Sequence, residues 1–274
     1  MNEVDRLTKD LQQAQVAYQM AAQLSQFKTG FLARISHELR SPISTIMGLH
    51  QLILHNLCES PEEERESIEQ AYQAIQKLLK MIDEILMVSK LEYGRISLNI
   101  ISFSLEMVFA DLYQFTHLQA ANRNLKLEII LPQPALYIRA DLEKFRQILI
   151  TLVDTGINLT KEGTIQILAQ VNPESDRVII YLNIPCSVEL WQEDGQFPGI
   201  GSEPSLETVK NFSKTLEMSP TLKFLLAQTL IEMMQGQLEI LPMSPENQSQ
   251  RFTQIQCLIP LASPESVAQE WATV

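Results

Sequence analysis

Apolar residues recur at alternating spacings of three and four through the first part of the chain. Val4, Leu7, Leu11, Ala14, Tyr18 and Ala21 form a heptad seam along which two helices pack side by side, which predicts a coiled-coil helix over 1–25 and a dimer. Small and polar residues dilute this seam, and a lone amphipathic helix packed on its own domain fits the same spacing. The helical period continues through Phe31, Leu32, Ile35 and Leu39 to about Leu57, interrupted at Pro42 and Gly48. Ser60-Pro61-Glu62-Glu63 then supplies an N-cap, a proline at the first helical position and a glutamate three residues after the cap. In the second long helix, Ile68, Tyr72, Ile75, Leu79, Ile82, Leu86 and Ser89 again step by three and four, so the two helices are expected to close into an antiparallel hairpin. Two such hairpins make a four-helix bundle.

After Gly94 the pattern shifts to short runs of Ile, Leu and Val between turn residues, which places a domain boundary near Tyr93 to Ser97. Helices are predicted over 105–121, 141–159 and 221–235, with a short one near 206–216. Strands are predicted over 125–131, 164–171, 177–183, 238–241 and 252–259. Helices mixed with antiparallel strands indicate one sheet covered on one face by helices. The expected divisions are 1–25 coiled coil, 26–95 helical hairpin, 96–262 α/β domain and 263–274 tail.

Composition narrows the function. With 274 residues, 45% of them hydrophobic, the chain can bury a sizeable core. A net charge of −12 repels phosphate backbones and anionic membrane surfaces, so nucleic acid is not an expected partner. No run approaches the roughly 18 to 20 uncharged apolar residues of a bilayer span, and the charged start lacks a signal peptide's apolar run, so a cytoplasmic protein is expected. Cys58, Cys186 and Cys257 are an odd number with no C-x-x-C pair, which suggests buried thiols and neither a disulfide framework nor a zinc site. His50, His55 and His117 complete no metal set, and none is expected. At an average usage of roughly 7%, a chain this long would hold about 19 glycines. It has 9, so glycine-rich nucleotide loops are scarce.

The densest chemistry lies in Ser36-His37-Glu38-Leu39-Arg40-Ser41-Pro42. At about 100° per residue, His37 points roughly 200° away from Ile35 and Leu39, which line the buried stripe with Leu32, so His37 is expected to face solvent. A histidine that accepts a phosphoryl group presents one neutral ring nitrogen to an in-line donor while an acceptor holds the other. The adjacent Glu38 suits that task, or uptake of the proton. Ser41, one turn further on, is placed to orient a water. Pro42 removes a helical hydrogen bond to the Glu38 carbonyl and is expected to loosen the helix where a second domain approaches.

The run from Phe31 to Pro42 resembles the phosphoacceptor motif of sensor histidine kinases of two-component systems. The resemblance continues through Val88-Ser89-Lys90-Leu91-Glu92, Phe103, Leu105, Asp141 and Phe145-Arg146-Gln147-Ile148-Leu149. It implies a dimeric four-helix bundle that receives and hands on phosphate, followed by an α/β sandwich of the histidine-kinase ATPase type. The implied partners are a response regulator and a second kinase chain, identical or different. The family's nucleotide machinery departs here. Two asparagines, the second of which coordinates magnesium, correspond to Thr151 and Thr155. Counting strand alternation through Val178, Ile180 and Leu182 puts Ile184 and Cys186 where the family has an adenine-reading aspartate and a glycine. An isoleucine accepts no hydrogen bond, which leaves polar groups unpaired at about 1 to 3 kcal/mol.

The turn whose amides would cradle phosphates reads Ser219-Pro220-Thr221-Leu222-Lys223-Phe224, without glycine, and Lys223 offers one charge that a solvated lysine explains as well. Asp154-Thr155-Gly156-Ile157 repeats the adenine motif by letter but falls inside a predicted helix, and Gly199-Ile200-Gly201 reads as a loop. ATP and magnesium are therefore doubtful cofactors. The expected function is phosphate exchange at His37 with a response regulator, or promotion of the regulator's dephosphorylation through Glu38 and Ser41, with weak or absent autophosphorylation from ATP. Two alternatives stand beside it: an active kinase with a divergent ATP site, and a non-catalytic dimeric regulator of another kinase. About 25 residues precede the phosphoacceptor region, too few for an input domain, so the signal is expected to arrive through a docked partner or the α/β domain.

Overall fold

The computed structural model describes residues 35–36, 38–92, 97–192, 218–241 and 252–264. The expected coiled coil over 1–25, the helix near 206–216, the Gly199-Ile200-Gly201 loop and the tail after Pro264 lie outside the described residues. The described residues fall into two compact units, one reaching Leu79 and the other starting at Lys80.

Helix α1 (38–54) runs through Pro42 and Gly48 without a break. Neither residue interrupts it as the sequence suggested: both are buried, along the side that also carries Thr45, Leu49 and Leu52. Packing on that side offsets the one hydrogen bond the proline removes. Leu49 and Leu52 meet Ala71 of helix α2 (Pro61–Glu92), with Cys58 against the same cluster. At the end of α1, Asn56 adopts φ 53°, the Asn56 amide donates to the Ile53 carbonyl at 3.1 Å, and the Leu57 amide donates to Leu52 at 2.9 Å, a Schellman cap. Ser60 Oγ accepts from the Glu63 amide at 3.2 Å and Glu63 Oε2 accepts from the Glu59 amide at 2.6 Å, while Glu62, Glu63 and Glu64 face the positive end of the helix dipole.

The stripe expected to hold the hairpin together does not do so within one chain. Ile68, Tyr72, Leu79 and Leu86 are 54, 60, 56 and 47% exposed. The buried side of α2 is Ser67, Ala71, Ala74 and Met81, a second repeat mostly one position earlier and so about 100° around the helix. Small side chains let α1 approach on that side, and the large ones remain uncovered.

The second unit runs β1 (Ile100–Ser104), α3 (Leu105–Asn122), β2 (Lys126–Ile130), β3 (Tyr137–Asp141), α4 (Leu142–Leu159), β4 (Thr164–Val171), β5 (Arg177–Ile184), α5 (Glu189–Gln192), α6 (Pro220–Met233), β6 (Gln237–Leu241) and β7 (Thr253–Ala262). Its seven-stranded sheet has the order β1-β3-β7-β5-β4-β2, with β6 beside β7. All pairings are antiparallel except β2 with β4. β7 joins the halves: its length pairs with β5, and its end, Leu261 and Ala262, pairs with β3.

Period-two alternation decides which face is covered. Ile165 and Ile167, Val178, Ile180, Leu182 and Ile184, and Thr253, Ile255, Cys257 and Ile259 share the fully buried face. The opposite face is half-buried and carries an amide ladder, in which Gln254 Nε2 donates to Asn183 Oδ1 at 2.8 Å and Asn183 Nδ2 donates to Gln166 Oε1 at 3.3 Å. Asp141 caps α4 through Oδ1, which accepts from the Lys144 amide at 3.0 Å, while Oδ2 accepts from the Asn99 amide at 2.9 Å and ties the approach to β1 to the helix start.

Helices α3 and α6 end as α1 does, with Asn124 at φ 57° and Gln235 at φ 61° in the left-handed region that glycine normally takes. Glycine is kept for the next position after α6: a Cβ on Gly236 would stand 2.6 Å from the Leu258 carbonyl oxygen. Gln235→Gly is expected to raise stability by about 1 kcal/mol by removing left-handed strain, and Gly236→Ala to lower it by about 2 kcal/mol or more. Urea unfolding of the two variants measures both signs.

Candidate functional site

The phosphoacceptor candidates lie along α1. Ile35 is buried, Ser36 and Arg40 are exposed, and Glu38 and Ser41 are half-buried, one turn apart. The Ser41 carbonyl accepts from the Thr45 hydroxyl at 3.2 Å, which braces the turn that carries Ser41. His37 itself lies outside the described residues. Two of the other three histidines are turned to their own helices: the Nδ1–H groups of His50 and His117 donate to Ile46 and Tyr113 carbonyls at 2.8 Å, and His117 stacks on Tyr113. Among the described residues, no three of His, Cys, Asp and Glu converge as a metal set.

A second cluster gathers where β5 ends and β7 begins, with α4 packed on the end of β5. Ile184 and Cys186 lie there, and α4, which carries Thr155, approaches so closely that a Cβ on Gly156 would stand 2.8 Å from Ile184 Cδ1. Thr155 is buried and its hydroxyl donates to the Thr151 carbonyl at 2.6 Å, so it is committed to its own helix. Thr151, half-buried, accepts from Gln147 Nε2 at 3.4 Å. Ile184 is fully buried and presents only carbon. Asp154, of the decoy motif, sits on α4 as expected and accepts from Gln119 Nε2.

Past the strand, Cys186 turns back, its amide donating to Ile184 at 2.8 Å and its carbonyl accepting from the Thr253 hydroxyl at 2.9 Å. The Trp191 indole N–H donates to Cys186 Sγ at 3.3 Å, and the Trp191 carbonyl accepts from the Thr221 hydroxyl at 2.9 Å. Trp191 is 1% exposed, with the Phe224 ring edge-on at 6.4 Å. Ser219 caps α6 by accepting from the Leu222 amide at 3.2 Å, with Pro220 at the first helical position and Lys223 half-buried in the first turn. Sequence reasoning missed Trp191, Thr221 and Thr253. The available signal was a tryptophan, one of two in the chain, five residues beyond Cys186.

Burial pushes the Cys186 thiol up, against weaker opposition from its bonds to Trp191 and Thr253, and pushes Cys257 up to about 12. Cys58 is only partly buried, which corrects the expectation of three buried thiols.

The pattern of the His Kinase A (phospho-acceptor) domain matches residues 27–94. The chain is 29% identical over 230 residues to the Non-motile and phage-resistance protein of Caulobacter vibrioides, covering 82% of this chain and 27% of that protein. It is 29% identical over 240 residues to Sensor protein EvgS of Escherichia coli K12, covering 85% of this chain and 19% of that protein. The chain thus spans a minor part of the curated relatives it matches. Among solved structures, Acinetobacter baumannii histidine kinase AdeS superposes with a TM-score of 0.57 at 20% identity, over 83% of this chain and 98% of AdeS. Histidine kinase ThkA, in complex with response regulator protein TrrA, gives 0.55 at 19% identity, over 84% of this chain and 61% of that one. These likenesses establish the fold, a helical region followed by a curled α/β sheet.

The thiol at Cys257 gives a pH prediction. Its folded pKa lies above the unfolded one, so its contribution to stability is complete below about pH 9 and lost as pH rises toward 12. Urea unfolding is expected to lose about 1 kcal/mol between pH 9 and 10, with Cys257→Ala showing a shallower slope.

Proposed function

We propose that this chain acts as a member of the histidine kinase family and that His37 exchanges a phosphoryl group with the receiver domain of a response regulator, a reading supported by the phosphoacceptor match and by the likeness of the whole fold to histidine kinases. The observation that carries this is the phosphoacceptor match over 27–94, with Glu38 and Ser41 one turn apart on α1. In the exchange a neutral imidazole nitrogen forms the N–P bond as the P–O bond of the regulator's aspartyl phosphate breaks, and the carboxylate leaves with the electron pair. Glu38 holds the N–H of the other ring nitrogen. In dephosphorylation the nucleophile is water, oriented by Ser41 and deprotonated by Glu38. The regulator as partner is supported by the solved ThkA complex with TrrA.

Autophosphorylation from ATP is weak or absent on this reading. A purine amine needs an acceptor, and Ile184 offers carbon; where the resembled family supplies an amide oxygen to magnesium, Thr155 supplies a weaker hydroxyl donor, buried and turned to the Thr151 carbonyl of its own helix. The residues do not fit magnesium nucleotide, so no step passes through it. The exposed stripe Ile68, Tyr72, Leu79 and Leu86 pairs with the same stripe of a second chain and completes the bundle. No helix among the described residues is long and apolar enough to cross a membrane. The free thiols suit the reducing cytoplasm where the exchange is placed.

Incubation with a radiolabelled phospho-regulator is expected to move acid-labile phosphate onto the chain or to speed its release as inorganic phosphate. His37→Gln abolishes transfer, and Glu38→Ala or Ser41→Ala slows release by roughly a hundredfold. Neither transfer nor faster release in the unaltered protein would refute the proposal. Sedimentation is expected to show a dimer that Leu79→Asp converts to monomer.

A further inference from the structure

Trp191 packs against Cys186, which stands where the resembled family has the glycine of its adenine-reading pair. Cys186 occupies a position where a glycine would let a flat ring lie close, and its thiol instead grips the indole N–H at 3.3 Å. The single turn of α5 that carries Trp191 is held from the other side, through the Thr221 hydroxyl on its carbonyl at 2.9 Å, with Phe224 edge-on to the ring. Thr253 completes the enclosure by donating to the Cys186 carbonyl at 2.9 Å. An indole is a planar bicycle with one N–H donor on its edge, and a purine is a planar bicycle with an amine donor on its edge. The cluster satisfies the first as a ligand site would satisfy the second.

We propose that the Trp191 indole is a built-in occupant of the cleft between the end of β5, the start of β7 and α6, standing in for a purine and closing the α/β unit to a nucleotide base. This rests on the reading that His37 is not fed from ATP, and gives that reading a structural cause. Admitting a base requires Trp191 to leave, which breaks both hydrogen bonds and exposes a ring that is now 1% exposed. Burial keeps the Cys186 thiol protonated, so its sulfur lone pairs face the indole without the cost of a buried charge.

Two measurements on the full chain test the proposal. With Trp271→Phe making Trp191 the sole tryptophan, emission is expected to be blue-shifted, protected from acrylamide and unmoved by millimolar adenosine. Emission typical of a solvated indole, or a red shift on adding adenosine, would overturn it. Trp191→Ala removes the occupant, and millimolar indole is expected to raise the melting temperature of that variant by about 3 to 8 °C while leaving the unaltered protein unchanged. Equal response of both proteins to indole would also overturn it. If the variant does not fold, the emission measurement still decides. Solvated Trp191 with intact phosphate transfer to His37 would remove the occupant alone, whereas lost transfer with buried Trp191 would remove the functional reading alone.

Discussion

Helix α4 rests on the sheet through a contact that only glycine permits without displacement: a methyl group at Gly156 would meet Ile184 Cδ1 at 2.8 Å and Cγ2 at 3.1 Å. That approach commits the whole Ile184 side chain to packing, worth about 2 to 3 kcal/mol of apolar burial. It also fixes the neighbours. Thr155, one residue back on the helix, turns its hydroxyl to its own backbone, and Cys186, two residues past Ile184, turns back to meet Thr253 and Trp191. A binding site keeps polar atoms aimed at what it binds. Here the polar atoms are bound to one another, and among the described residues no buried side-chain nitrogen or oxygen lacks a partner.

The helical hairpin has the opposite property. Its second helix is apolar on two sides, and one partner helix covers only the side of small residues, where Ala71 meets Leu49 and Leu52. The large residues, Ile68, Tyr72, Leu79 and Leu86, are left uncovered within one chain. On this reading association and phosphate exchange both belong to the hairpin, while the α/β unit contributes a closed body. The same glycine poverty runs through both units: Asn56, Asn124 and Gln235 end helices in the left-handed conformation, and the scarce glycines stand where a backbone or side chain comes too close, at Gly156 and Gly236.

Much of this was legible in the chain. Ser60-Pro61-Glu62-Glu63 specified the start of α2, Asp141 the start of α4, and alternation through Val178, Ile180 and Leu182 carried correctly to the buried Ile184. Strands β1 and β3 were not legible. Each has five residues, and they pair across about forty positions, Ile100 with Asp141, so neither carries a long local period. The heptad of α2 was read as the side that closes the hairpin, whereas the buried side lies one position earlier, at Ser67, Ala71, Ala74 and Met81, because spacing shows that a stripe is apolar and not what covers it. Trp191 was missed for a related reason. Its role depends on Cys186, Thr221 and Phe224, of which two lie about thirty residues away, and no motif spans that distance.

Titration calorimetry of magnesium ATP into the full chain bears most directly on the division between an open hairpin and a closed α/β unit. No binding heat is expected up to millimolar nucleotide, with or without magnesium. A stoichiometric isotherm with a micromolar dissociation constant would contradict it.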